Sequence, residues 1–155
     1  MAFLNSFDIS ASALTAQRQR LDIISENIAN VDTTRTEAGG PYKRKTVVFE
    51  SKIGDISFKD SLKDAVDRRQ NGNRIVRTTT PGVRVAGIVE DQSALKTEYN
   101  PEHPDADENG YVQLPNVNML EEMIDSMSAT RSYQANVTTL NAIKAMATRA
   151  LEIGK

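Results

Sequence analysis

Few residues in this chain have the types and spacing that chemistry needs. Asp105-Ala-Asp-Glu-Asn-Gly110 matches the first half of an EF-hand calcium loop, D-x-D-x-N-G. Position twelve of such a loop supplies a bidentate carboxylate, and here it would be Asn116. No helix leads into the loop, so a tight calcium site is not expected; an Asx-type turn into Tyr111 accounts for the same residues. Ser93-Ala-Leu-Lys96 has the S-x-x-K spacing of serine acylases, but the companion S-D-N and K-T-G signatures are absent. His103, the single histidine, lies on a Pro-flanked loop with no Ser or Cys nucleophile motif nearby, so no triad assembles. There is no G-x-x-x-x-G-K or G-x-G-x-x-G to cradle phosphates. Lys43-Arg44-Lys45 is a basic cluster of the kind that a solvated strand edge needs. The sequence therefore predicts no catalytic residues, no metal site, no cofactor and no small-molecule substrate.

Composition narrows the classes further. A formal net charge of −2 argues against a nucleic-acid binder, and four Phe, four Tyr and no Trp leave little for base stacking. The absence of cysteine excludes disulfides and thiol chemistry. No apolar run approaches the ~18 residues of a membrane span. The N-terminus lacks the basic start and apolar core of a cleaved signal peptide, so export would need a signal-independent route.

What remains is organised by the two ends. From Val117 there is no Pro, and no Gly until Gly154, and the run is rich in Ala, Met, Leu and Glu. Apolar residues recur at Val117, Leu120, Ile124 and Met127, then at Tyr133, Val137, Leu140, Ile143, Ala147 and Leu151. This spacing predicts a helix over 116–155, begun by an Asn118/Glu121 capping box and stopped at Gly154. It would be roughly 55 Å long at ~1.5 Å per residue. The stripe slips phase between Met127 and Tyr133, where Ser126, Ser128, Ala129, Thr130 and Ser132 are small. A second helix is expected over 1–31, where Phe7, Leu14, Leu21 and Ile28 recur every seven residues, with Ser6 as N-cap and Asp8 in the first turn. Gln17 and Arg18 interrupt that stripe.

Between them, 32–115 reads as a small β-rich outer domain. Val47, Val48 and Phe49, with Lys43 to Lys45 before them, look like a strand, as do Ile75 to Thr79 and Val83 to Glu90 about the Thr80-Pro81-Gly82 turn, and Tyr111 to Leu114 adds one more. The stretch near 51–74 is either a short helix marked by Leu62, Ala65, Val66 and Arg69 or an insertion ending at Asn71-Gly72-Asn73. The expected fold class is thus mainly α with a small β-containing insert, its terminal helices pairing as an antiparallel coiled coil. Both helices are too long for a chain of this size to bury alone.

Several motifs carry a family resemblance. Leu14-Thr-Ala-Gln17, then Asn27-Ile-Ala-Asn30 with a Thr-rich loop, then Pro41-Tyr-Lys-Arg44, resemble the N-terminal signature of flagellar axial proteins. Rod and hook members of that family share an Ala-Asn-x-x-Thr-x-Gly-Tyr motif. Here about ten residues separate Asn30 from Tyr42, and Pro41 stands where Gly is usual; that longer version resembles the proximal-rod members. Thr46-Val-Val-Phe49, Asn109-Gly-Tyr-Val112 with Pro115-Asn-Val117, and Met127 to Asn136 agree.

The resemblance implies a structural subunit of the bacterial flagellar basal-body rod, exported by the flagellar type III apparatus without a cleaved signal and lying in the periplasm. It further implies terminal helices that line the export channel and a tube that transmits torque. Implied partners are other copies of the chain, neighbouring proximal and distal rod proteins, and MS-ring and export-gate adaptor proteins. Leu14, Leu21, Ile24, Ile28, Leu120, Ile124, Val137 and Leu140 are the expected packing residues of that assembly. Asn27, Asn30, Gln134 and Asn136 are expected to make inter-helix amide bonds. Isolated helices with such modest seams are marginal in water, so the ends of the free subunit are expected to be largely disordered until neighbours order them. The competing readings are a monomeric helical adaptor or export chaperone, against which the β-like middle speaks, and a periplasmic calcium-binding or cell-wall-modifying protein, against which the missing carboxylate at position 116 speaks.

Overall fold

The computed structural model describes residues 2–37, 39–52, 62, 66 and 82–153. Two long helices from opposite ends of the chain pack on each other, and two small antiparallel sheets lie between them in sequence. Helix α1 spans Ala2–Ala29. It starts ahead of Ser6, so Ser6 and Asp8 lie inside the helix and not at its cap. Its end is built by Asn30, whose side-chain amide donates to the Glu26 carbonyl at 2.8 Å and whose Oδ1 accepts the Thr33 hydroxyl at 3.2 Å. The Glu26 carbonyl also accepts the Asn30 N–H at 3.1 Å, so the side chain adds a second bond to the last turn.

Helix α2 spans Met119–Ile153, with Glu121 and Glu122 in its first turn where the helix dipole favours them. Asn118 caps it, its Oδ1 accepting the Leu120 N–H at 3.2 Å, but Glu121 makes no return bond among the described residues, so only half of the expected capping box forms. Gly154 lies outside the described residues. The helices run in opposite senses, since Asn27 meets Glu122 and Arg20 meets Asp125. On α2 the buried and half-buried residues include Glu122, Ser126, Ala129, Tyr133, Asn136, Leu140, Ile143 and Ala147 at alternating intervals of four and three, with half-buried Asp125, Ser132 and Val137 beside them. The inner face at its N-terminal end is thus acidic and small. Leu120, Ile124 and Met127, which the sequence placed on the same stripe as Leu140 and Ile143, are exposed on the other side. The phase slip at the small residues is the physical reason: the apolar stripe changes faces there, and Ala129, wholly buried like Ala16, lets the helices approach closely.

Strand β1 (Lys45–Ser51) pairs antiparallel with β2 (Val83–Glu90), Lys45 opposite Glu90 and Ser51 opposite Val83, with a bulge between Val48 and Phe49. Val47, Phe49, Val83 and Val85 turn inward while Val48, Arg84 and Ile88 face out. Both strands pack on α1. There the Val83 N–H donates to the Ser12 hydroxyl at 3.2 Å, and a Cβ on Gly82 would stand 3.1 Å from that same oxygen. Gly82 therefore serves close approach to the helix. Ile75–Thr79 and the Thr80-Pro81 half of the expected turn lie outside the described residues. So does most of the 51–74 stretch, of which Leu62 and Val66 are exposed in helical backbone.

A strand that sequence reading missed, β3 (Lys96–Tyr99), pairs with β4 (Tyr111–Leu114). The rings of Tyr99 and Tyr111 meet edge to face at 5.3 Å. The loop between them is closed by the expected Asx turn: Asp107 Oδ1 accepts the N–H groups of Asn109 and Tyr111 at 3.0 and 2.9 Å. Gly110 follows at φ +80, a conformation that a side chain would strain.

Candidate functional site

The polar centre of the molecule lies where the end of α1, the start of α2 and the start of β1 converge. Asn27 is buried on α1, and its amide uses both oxygen lone pairs and both N–H groups. Nδ2 donates to the Lys45 carbonyl at 2.8 Å and to Glu122 Oε2 at 3.1 Å. Oδ1 accepts the Tyr42 hydroxyl at 2.9 Å and the Lys45 N–H at 3.0 Å. Asn116 does a parallel job one residue earlier, taking the Arg44 N–H at 2.8 Å and donating to the Ser93 hydroxyl at 2.9 Å. Two asparagines thus pin successive residues of the segment that enters β1.

Glu122 is 1% exposed and carries the charge at the centre. Its Oε1 accepts Arg44 Nε at 2.6 Å. Arg44 also faces Asp125 at 3.7 Å and Asp91 at 3.9 Å, and Arg20 reaches Asp125 at 3.2 Å. Burial disfavours the Arg44 charge, but the hydrogen bond and charge of Glu122, with Asp125 and Asp91 behind them, outweigh it and hold the guanidinium above its ordinary value. Burial, then the nearby charges of Glu26, Glu122 and Glu90, push the Tyr42 phenol up to about 12, so it remains a donor to Asn27. Lys45 Nζ pairs with Glu26 at 2.6 Å and lies 5.5 Å from the centre of the Tyr42 ring.

This corrects the reading of Lys43-Arg44-Lys45 as solvated edge charges: Lys43 is exposed, but Arg44 and Lys45 are half-buried in ion pairs. A recess of about 240 Å³ beside the clamp is lined by Arg20, Ile24, Arg44, Phe49, Glu122 and Asp125, and its charged groups are already paired with one another. Among the described residues no group of three His, Cys, Asp or Glu could hold a metal. His103 Nδ1 accepts the Asp105 N–H at 3.1 Å.

The expected packing residues fall into two groups. Ile24 is buried, and Leu14, Leu21, Ile28, Val137 and Leu140 are half-buried. Leu120 and Ile124 are 67% and 53% exposed, on the side of α2 away from Glu122. Of the four amides expected to bridge helices, Asn27 does so within the chain. Asn30 and Asn136 turn back onto the Glu26 and Ser132 carbonyls of their own helices at 2.8 and 2.9 Å. Gln134 is exposed. Sequence reasoning missed Glu122, Arg44, Tyr42 and Asn116. One signal was available: Glu122 keeps a seven-residue interval with Ala129, Asn136 and Ile143, the spacing of an inward position.

Paired end helices held by an internal clamp, with an apolar outer face left open, define a structural subunit built for packing. A model of flagella basal body rod proteins matches residues 7–35, and one of the C-terminal part of the flagellar basal body rod FlgEFG proteins matches residues 108–153. The flagellar basal-body rod protein FlgC of Bacillus subtilis is 48% identical over 159 residues, covering 100% of both chains. FlgC of Borreliella burgdorferi is 45% identical across 99% of this chain and 98% of its own, and FlgC of Escherichia coli O6:H1 is 42% identical across 100% of each. The chain belongs to the FlgC family of flagellar basal-body rod proteins. It is a structural subunit of the basal-body rod and not an enzyme. No described helix is long and apolar enough to cross a membrane.

Proposed function

We propose that the chain is a proximal-rod subunit that joins its neighbours through the outer face of α2. One observation carries this reading. Met119, Leu120, Met123, Ile124 and Met127 form a contiguous exposed apolar face over more than two turns of a helix whose opposite face is anchored by Glu122. Clustered apolar exposure on a rigid element marks a contact surface, and in a rod protein the occupant is a helix of a neighbouring rod subunit. Because the face and whatever it meets on the neighbour are different patches, the packing is heterologous and propagates into a helical tube.

In this reading α1 and α2 form an antiparallel coiled coil over 1–31 and 116–155, with the β-rich 32–115 outside it. Leu14, Leu21, Ile24, Ile28, Val137 and Leu140 pack the helices, and Leu120 and Ile124 meet the neighbour. Asn30, Gln134 and Asn136 are available for amide bonds between subunits. Export through the flagellar type III apparatus places the subunit in the periplasm without a cleaved signal. Its neighbours are other copies, proximal and distal rod proteins, and MS-ring and export-gate adaptor proteins, and the closely packed tube transmits torque. The test is Ile124→Asp. An exposed substitution should change the stability of the isolated subunit by less than about 0.5 kcal/mol, yet the variant should fail to restore motility to a strain lacking its own copy. Motility at the wild-type level would refute this use of the face.

A further inference from the structure

All four described methionines lie on α2, and all are exposed: Met119 46%, Met123 47%, Met127 56% and Met146 60%. The chain has no cysteine, so no thiol competes with these thioethers for an oxidant. Met119, Met123 and Met127 follow each other at intervals of four and interleave with Leu120 and Ile124. They therefore make up much of the face assigned above to the neighbouring subunit, and this inference rests on that assignment.

We propose that Met119, Met123 and Met127 are a peroxide modification site, at which oxidation withholds the free subunit from the rod. The oxidant is hydrogen peroxide or another two-electron peroxide. The sulfur lone pair attacks one peroxide oxygen, an S–O bond forms and the O–O bond breaks. The departing hydroxide takes the proton from the oxygen now bound to sulfur and leaves as water, and the sulfoxide remains. Sulfur is oxidised by two electrons, and the peroxide is reduced by the same two. The product sulfoxide places a strong hydrogen-bond acceptor on a surface that must lose its water to pack. One such group left unmatched should weaken association roughly tenfold or more, and three on one face compound the effect. Methionine sulfoxide reductases reverse the change, so the block is a lock and not damage. Once the subunit is assembled, the neighbour covers the thioethers and the site closes.

The experiment uses the full chain in three parts. Purified subunit and isolated basal bodies are treated with hydrogen peroxide, and oxygen uptake at each methionine is read by peptide mass spectrometry. Met119, Met123 and Met127 should oxidise in the free subunit, with helix content unchanged, and be protected in basal bodies. Resistance in the free subunit, loss of helix on oxidation, or equal reactivity in both samples would overturn the proposal. In a strain lacking its own copy, M119Q/M123Q/M127Q, which carries polar side chains of sulfoxide-like size, should reduce swimming to that of the deletion strain. M119L/M123L/M127L should swim normally, since Leu keeps the volume and apolar character. A swimming Gln variant would overturn the modification site while leaving the interface intact. A swimming Ile124→Asp variant, tested alongside, would instead remove the interface assignment itself.

Discussion

The amide of Asn27 joins three separate pieces of chain: the end of α1 on which it stands, the Tyr42–Lys45 segment and the start of α2. Its network is centred on a buried charge, and such a charge costs more to strand than to remove with its partner. Glu122→Leu should therefore destabilise the isolated subunit by about 3 kcal/mol, because Arg44 Nε loses its hydrogen-bond acceptor and Asn27 Nδ2 loses one of two. The double variant Arg44→Leu/Glu122→Leu should cost clearly less than the sum of the two single changes. Urea unfolding of the four proteins measures that coupling, and strict additivity would mean that the pair is not coupled. Tyr42 gives a pH test. Its phenol is raised from 10.0 to about 12 in the fold, so the folded chain holds this proton after the unfolded chain has released it. Its contribution is fully present below pH 10 and is lost as pH rises toward about 12. Stability should fall across that window, and Tyr42→Phe should flatten the fall. Gln17 is a different case. Its side-chain oxygen is buried with no hydrogen-bond partner among the described residues. Gln17→Met should stabilise the subunit by about 1 kcal/mol, seen as a Tm higher by roughly 2–4 °C.

At the scale of elements, α2 is one helix with two jobs divided near Ala129. Leu140 lies on the inner face and Ile124 on the outer one, so the same substitution should act differently at the two sites. Leu140→Asp should lower the thermal stability of the isolated subunit and also abolish motility. Ile124→Asp should abolish motility alone. Equal stability of the two variants would erase the distinction between the faces. The helices themselves were legible because long Pro-free runs of strong helix formers announce them. Which part of the apolar stripe faces α1 was not, since periodicity reports that a face exists and not what covers it. The sequence pattern followed the apolar residues through Leu120 and Ile124. The fold instead turned Glu122 inward, because Arg44 and Asn27 arrive from elsewhere in the chain to satisfy it. Long-range partners of that kind leave no local spacing to read. Strand β3 escaped for a related reason: Lys96-Thr-Glu-Tyr99 is exposed at every position and shows no alternation, so only its pairing with β4 reveals it.

Taken as a whole, the molecule is fastened at one end. The clamp, the buried residues Val112, Pro115 and Val117, and the entry to β1 all gather where α1 stops and α2 starts. Away from that end the helix pair carries exposed Phe7, Ile9, Met146 and Leu151. An uneven subunit suits an open assembly: the fastened end fixes the register of the two helices, and neighbours cover the faces left bare. The sequence reading expected both terminal segments to wait for neighbours along their whole length. The clamp implies a graded version, in which the inner turns are ordered in the free subunit and the tips are not. Amide hydrogen exchange on the purified, soluble subunit tests this most directly. Strong protection is expected across residues 16–29 and 112–130, falling to fast exchange toward 2–9 and 144–153. Uniform protection to both tips would contradict it, because a helix pair complete in itself would have no need of neighbours.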